Sequence, residues 1–100
     1  MRQPYTSGEW IVKPGREAEF IAAWHEMAAW SAREIPGALW GRLLQDRDRP
    51  NRFLSFGPWA SLEAIDTWRA HPGFAEGVGR IRPLLESLQP STLELVAEVG

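Results

Sequence analysis

Six tryptophans stand in a chain of 100 residues, beside four Phe and one Tyr. Large flat side chains with few polar groups suit the binding of a planar apolar molecule. Trp59 is the first candidate for chemistry there, because its indole N–H donates a hydrogen bond while its ring stacks on a polycyclic ligand. The competing reading is that Trp59 plugs the gap between a sheet and a helix. Phe53 and Ser55 alternate with Trp59 on one strand face. Ser55 is placed to bond a substrate oxygen, or is a small polar residue under a helix. Trp10, Trp24, Trp68 and Phe74 complete the candidate binding set, and each also reads as core at its spacing.

His71 is the better of two candidate bases. It precedes Pro72 at a helix break, where a side chain reaches a cavity mouth, and imidazole transfers protons near neutral pH. The run His71-Pro72-Gly73 also reads as a cap and turn. His25 is offset from the helical stripe, is expected to meet solvent, and is given no role. Arg80 and Arg82 lie two apart and do not share a helix face. Arg80 is the candidate to hold a phenolate or carboxylate, with a solvated surface role as the alternative.

Several classes are set aside. The chain has no Cys, which excludes disulfides, zinc-thiolate sites and thiol nucleophiles. Two His leave no basis for a multi-imidazole metal site, so no metal is expected. Eleven Lys+Arg against thirteen Asp+Glu give a formal charge of -2, and neither nucleic acid nor an anionic membrane is an expected partner. No apolar run approaches the ~18 residues of a membrane helix. The first residues lack the hydrophobic stretch of a secretion signal, so a cytoplasmic location is expected. There is no Ser-His-Asp order or phosphate loop, and Gly77 and Gly79 follow no strand as a dinucleotide fingerprint would.

Pro and Gly divide the chain into elements. Residues 5–13 predict a strand ended by Pro14-Gly15. Residues 16–33 predict a helix carrying Phe20, Trp24 and Met27, stopped by Pro36-Gly37. Residues 38–45 are apolar on both alternating sets, which predicts a strand buried on both faces. A polar turn leads to a returning strand at 52–59. Ser61 predicts an N-cap for a helix that pauses at His71. A second helical stretch is expected over 74–88, disturbed by Pro83, and a last strand over 92–99. The order βαββαβ over residues 1–100 predicts one α+β domain of ferredoxin-like type, with a four-stranded antiparallel sheet and both helices on one face. Leu54 and Phe56 then lie on the bare face with Arg52, whose carboxylate partner is not specified by the sequence. Two sheets pairing face to face in a homodimer would cover that face.

Within this order, Val12-Lys13-Pro14-Gly15-Arg16-Glu17 leads into the first helix and Pro36-Gly37 precedes the second strand. Asn51-Arg52-Phe53 opens the third strand, Trp59 closes it, and Trp-Arg-Ala-His-Pro-Gly-Phe runs from Trp68 to Phe74. In order and spacing these words resemble the antibiotic biosynthesis monooxygenase family of the dimeric α/β barrel superfamily, over about residues 10–99. The resemblance implies a homodimer and, in some members, oxidation of anthrones and quinols without metal or flavin. It therefore implies a monooxygenase-like enzyme with no bound cofactor, acting on a small aromatic, quinol or polyketide-type molecule. A non-catalytic module binding a small molecule in the same pocket is the alternative. Such oxygenation needs an electron-rich acidic substrate, an apolar pocket, a base and donors for the oxyanion. Heme-degrading members place an Asn on the first strand, a Trp ending the third and a His on the second helix. Those positions fall here at Gly8, Trp59 and Val78, so the iron ligand is missing and a heme-degrading activity is not expected.

Overall fold

Two Pro-Gly turns frame the first half of the chain. Arg16 N donates to Lys13 O at 3.0 Å, and Ala38 N donates to Ile35 O at 3.1 Å. Pro14 and Pro36 preset φ at the second position of these turns. Gly15 and Gly37 take φ of 91° and 93° at the third, the left-handed region open to glycine. In the computed structural model, which describes residues 2–100, the elements between such turns run β1 (Pro4–Val12), α1 (Glu17–Glu34), β2 (Arg42–Gln45), β3 (Arg52–Pro58), α2 (Leu62–Ala70), α3 (Pro72–Ile81) and β4 (Leu85–Glu94). The sheet is antiparallel with order β2-β3-β1-β4, the ferredoxin-like arrangement.

Local chemistry sets the helix ends. Glu17 and Glu19 sit in the first turn of α1 and Arg33 in its last, each complementing the helix dipole. Ser61 Oγ accepts from Ala64 N at 3.1 Å and caps α2. His71 Nδ1 accepts from Gly73 N at 2.9 Å and caps α3, whose first residue is Pro72.

The core forms two clusters on the helix-facing side of the sheet. Trp10, Val12, Phe20, Phe53, Ile81 and Leu84 make one, and Ile35, Trp59, Ala64 and Ile65 the other. Gly77 lets α3 lie close to α1, since a Cβ there would meet Met27 Sδ at 3.0 Å.

Three expected elements are corrected. The final strand is Leu85–Glu94 rather than 92–99, and the preceding helix ends at Ile81, followed by a single 3₁₀ turn over Arg82–Leu84. Pro83 has no N–H with which to continue the helix, and nine residues of β1 supply a ladder that β4 follows from Val12↔Leu85 to Pro4↔Glu94. The alternation of Leu93, Leu95, Ala97 and Val99 resembles a strand, but Val96 is 71% and Val99 100% exposed. The second strand is only Arg42–Gln45 and is not buried on both faces: it is an edge strand on which Leu44 is 52% exposed. Ahead of it, Ala38 makes an isolated bridge to Trp59.

On the bare face, Arg52 finds two carboxylates. Its Nε donates to Glu9 Oε2 at 2.9 Å and its Nη1 to Asp46 Oδ2 at 3.0 Å. Asp46 Oδ1 also accepts from Asp48 N at 2.8 Å and Arg49 N at 3.1 Å, closing the β2–β3 turn. Those backbone N–H groups, then the Arg52 guanidinium, hold the Asp46 carboxyl below its usual range. A depressed folded-state pKa contributes stability above the unfolded value of about 3.9, lost as pH falls through the folded value. Asp46→Asn should therefore lower the melting temperature at neutral pH and flatten its decline between about pH 5 and pH 2, as followed by circular dichroism.

Candidate functional site

A cavity of about 350 Å3 opens between the helices and the sheet. Both core clusters line it: Trp10 with its neighbours Trp24, Met27 and Leu88 from the first, Trp59 with Trp68 from the second. Its place follows from side-chain size on the two central strands. Along the helix-facing side of β1 the residues read Thr6, Gly8, Trp10, Val12, and along β3 they read Phe53, Ser55, Gly57. Gly8 pairs with Ser55 and Thr6 with Gly57, so four small residues adjoin one another between bulky neighbours.

The indoles are held by hydroxyls. Trp10 Nε1 donates to Ser55 Oγ, Trp59 Nε1 to Thr6 Oγ1 and Trp68 Nε1 to Ser31 Oγ, each at 2.9 Å. Ser31 Oγ in turn donates to Met27 O at 2.8 Å. Each pairing removes the cost of burying an indole donor without an acceptor. Trp59 also stacks obliquely on Trp68 at 4.8 Å between centroids, and Trp68 meets Phe74 edge-on at 4.6 Å. The Trp59 donor assigned to a ligand on sequence grounds is thus already engaged by Thr6, which leaves that residue its ring face.

Gly8 is what permits the Trp10–Ser55 bond. A Cβ there would lie 2.8 Å from Trp10 Nε1 and 3.2 Å from Ser55 Oγ. For the same reason an Asn side chain at position 8, as in the heme-degrading pattern, has no room beside Trp10. Val78, at the position of that pattern's iron-ligating His, also lines the cavity.

Of the residues singled out in the sequence, Trp10, Trp24, Ser55, Trp59, Trp68 and Phe74 meet around the cavity. Phe53, His71 and Arg80 do not line it. Phe53 is 1% exposed and packs against Phe20 at 4.9 Å. His71 is exposed, with Nδ1 used as the α3 cap and its ring edge-on to Trp30 at 5.0 Å. Arg80 is exposed and pairs with Glu76 one turn back and with Glu26 of α1. Among the lining residues that the sequence reading gave no role are Thr6, His25 and Arg69; His25 is exposed, as expected, and so is Arg69, so both stand at the rim. Thr6 was legible from its period-two relation to Gly8 and Trp10. His25 shares an i, i+3, i+4, i+7 stripe with Ala28, Ala29 and Ala32, all lining the cavity. That stripe of small residues was the available signal. Arg69, which donates to Thr92 Oγ1 of β4 at 2.9 Å, carried none. Among the described residues lining the cavity, His25 and Arg69 are the only ionisable side chains, and no carboxylate is present. No group of three or more His, Cys, Asp or Glu among the described residues is arranged to hold a metal ion.

The fold and this site define a class, a ferredoxin-like α+β domain enclosing an aromatic-walled cavity. Residues 7–80 match the family model described as antibiotic biosynthesis monooxygenase, and the chain belongs to that family. Deoxynogalonate monooxygenase of Streptomyces nogalater is 33% identical over 73 residues, which cover 73% of this chain and 61% of that relative's length. The crystal structure of SnoaB, a cofactor-independent oxygenase from Streptomyces nogalater, superposes with a TM-score of 0.90 at 24% identity, covering 99% of this chain and 98% of SnoaB. A protein of Pseudomonas aeruginosa superposes with a TM-score of 0.80 at 20% identity, covering 97% of each chain. At these identities the structural likenesses speak to the fold. No helix among the described residues is long and apolar enough to cross a membrane.

Gly8→Ala should displace the Trp10 indole from Ser55. The expected loss is about 1–3 kcal/mol in urea unfolding, with a red shift of tryptophan emission in the folded state.

Proposed function

We propose that the chain is a monooxygenase that acts without a bound cofactor on a small planar aromatic of quinol or polyketide type, as one domain of a homodimer. The observation that carries this reading is the cavity: its size lies in the range of small-molecule sites, and its largely apolar lining includes the rings of Trp10, Trp24, Trp59, Trp68 and Phe74. The family, and the oxygenase activity named for the Streptomyces nogalater proteins, support it.

The protein's part in such a reaction is modest. A base takes a proton from an activated CH2 group, and the carbanion passes one electron to O2. The radical pair combines to form a C–O bond, and the returning proton gives a hydroperoxide. Loss of the second C–H proton with O–O cleavage then expels water and leaves a carbonyl. One CH2 and one O2 become one C=O and one H2O. Among the lining residues His25 is the imidazole available to move the proton, while His71 lies at the α3 cap. Arg69 is the lining cation available to an anionic substrate. The ring of Trp59 supplies a wall for stacking.

Homodimer formation is supported by the sheet face turned away from the helices. Leu44 and Leu54 are 52% and 40% exposed there, and Trp40 packs edge-on to Phe56 at 5.9 Å and Tyr5 at 6.2 Å. Light scattering should give twice the 11.3 kDa chain mass. The paired substitution Leu44→Glu with Leu54→Glu should give the monomer.

Oxygen uptake with a panel of anthrones and hydroquinones should exceed the spontaneous rate. His25→Ala should lower kcat about 100-fold or more while leaving ligand affinity within about 2-fold, and Trp59→Phe should weaken both. Binding of the panel without any uptake would favour the second reading, a non-catalytic binding module. That reading draws support from three of the five lining indoles, Trp10, Trp59 and Trp68, whose donors are engaged within the protein.

A further inference from the structure

A hydroxyl carries one donor proton and two acceptor lone pairs, whereas an indole nitrogen only donates. In each Trp–hydroxyl pair of the cavity the hydroxyl oxygen is therefore the acceptor, and its own proton is left to go elsewhere. The three pairs differ in where that proton goes. Ser31 gives it to Met27 O inside α1, so the Trp68–Ser31 pair is closed. Ser55 and Thr6 donate to no acceptor among the described residues, and both line the cavity. We propose that Thr6 and Ser55 form a two-point donor edge, each hydroxyl oriented by the indole that donates to it, which binds a planar ligand through two acceptor oxygens set para to each other. The proposal deepens the aromatic-substrate reading and rests on it.

The register fixes the spacing of the two donors. Ser55 sits opposite Gly8, and Thr6 lies two residues before Gly8 on β1. Their Cα atoms are diagonal neighbours on one sheet face, about 7–8 Å apart. That separation suits oxygens on opposite sides of a ring. The backbone amides of both strands are engaged in the sheet ladders, and the indole N–H groups of Trp10, Trp59 and Trp68 are taken; Trp24 of α1 and Trp40 ahead of β2 line the cavity from outside these two strands. On the helix-facing side of β1 and β3, the hydroxyl protons of Thr6 and Ser55 are thus the neutral side-chain donors left to a ligand. They are also directed, because an oxygen that already accepts from a fixed indole has its remaining positions restricted.

The test compares three bicyclic probes of similar size: 1,4-naphthoquinone with two carbonyl oxygens, 1-tetralone with one, and naphthalene with none. Dissociation constants come from calorimetric titration of the full chain. The wild type should bind the quinone tightest and naphthalene weakest. Thr6→Val, close in shape, and Ser55→Ala should each weaken quinone binding about 3- to 10-fold and leave naphthalene unchanged. Thr6→Ser should restore the quinone affinity. Unchanged quinone affinity in both folded deletion variants overturns the donor edge while leaving the aromatic site standing. Binding of none of the probes by the wild type overturns the aromatic site and the donor edge together. Should Thr6→Val fail to fold, the probe series on the wild type still decides: equal affinity for quinone and naphthalene overturns the proposal.

Discussion

The missing side chain at Gly8 is the constraint on which the site depends. Without a Cβ there, the Trp10 indole leans across β1 and reaches Ser55 on the neighbouring strand. That bond settles where one of the largest side chains in the chain lies, and Phe20 then packs obliquely on it at 5.2 Å. The same device recurs at Trp59 with Thr6 and at Trp68 with Ser31. A cavity walled by indoles would otherwise leave several N–H groups away from water with no acceptor, each costing about 1–3 kcal/mol. Pairing every such indole with a hydroxyl lets aromatic walls stand around a space without that penalty. No buried side-chain nitrogen or oxygen among the described residues lacks a partner.

The two faces of the sheet divide the chemistry. The helix-facing side is nearly free of charge, and its ionisable lining is one imidazole and one guanidinium. The opposite face carries Glu9, Arg52 and the turn carboxylate Asp46, which neutralise one another beside exposed Leu44 and Leu54. An electron-rich aromatic that must lose a proton is better served by the first environment. Under the proposed reading, the absence of a carboxylate there avoids repelling a substrate anion, and the apolar walls strengthen what electrostatic contacts remain. The ion pairs of the second face anchor the β2–β3 turn and leave apolar side chains beside them available to a partner surface.

Much of this architecture was legible before any coordinates. Pro14-Gly15 and Pro36-Gly37 carry their turns in the residue types themselves, because φ is preset at one position and positive φ permitted at the next. Ser61 announces the start of α2 in the same local way. The strand at the chain's end was misplaced because the alternation of Leu93, Leu95, Ala97 and Val99 is a local pattern. The strand that forms is instead the one that matches the length of β1. The second strand looked doubly buried for a related reason. Its apolar content says that it meets something, but not that it lies at an edge with its outer face open.

The candidate site divides along the same line. Residue type and period-two spacing by themselves put Ser55 and Trp59 on one face of their strand, since a strand's alternation needs no knowledge of its partners; the β1–β3 register adds Trp10 to that face. Helical spacing likewise turned Trp24 inward. Only the tertiary structure decided which of two imidazoles meets the cavity, that Trp59 donates to Thr6, and that Ser55 accepts from Trp10. These depend on contacts between residues 45 and 53 positions apart in the chain. The physical reason is range: backbone preference and side-chain period act over a few residues, whereas a hydrogen-bond partner is set by strand register and by the packing of helix on sheet.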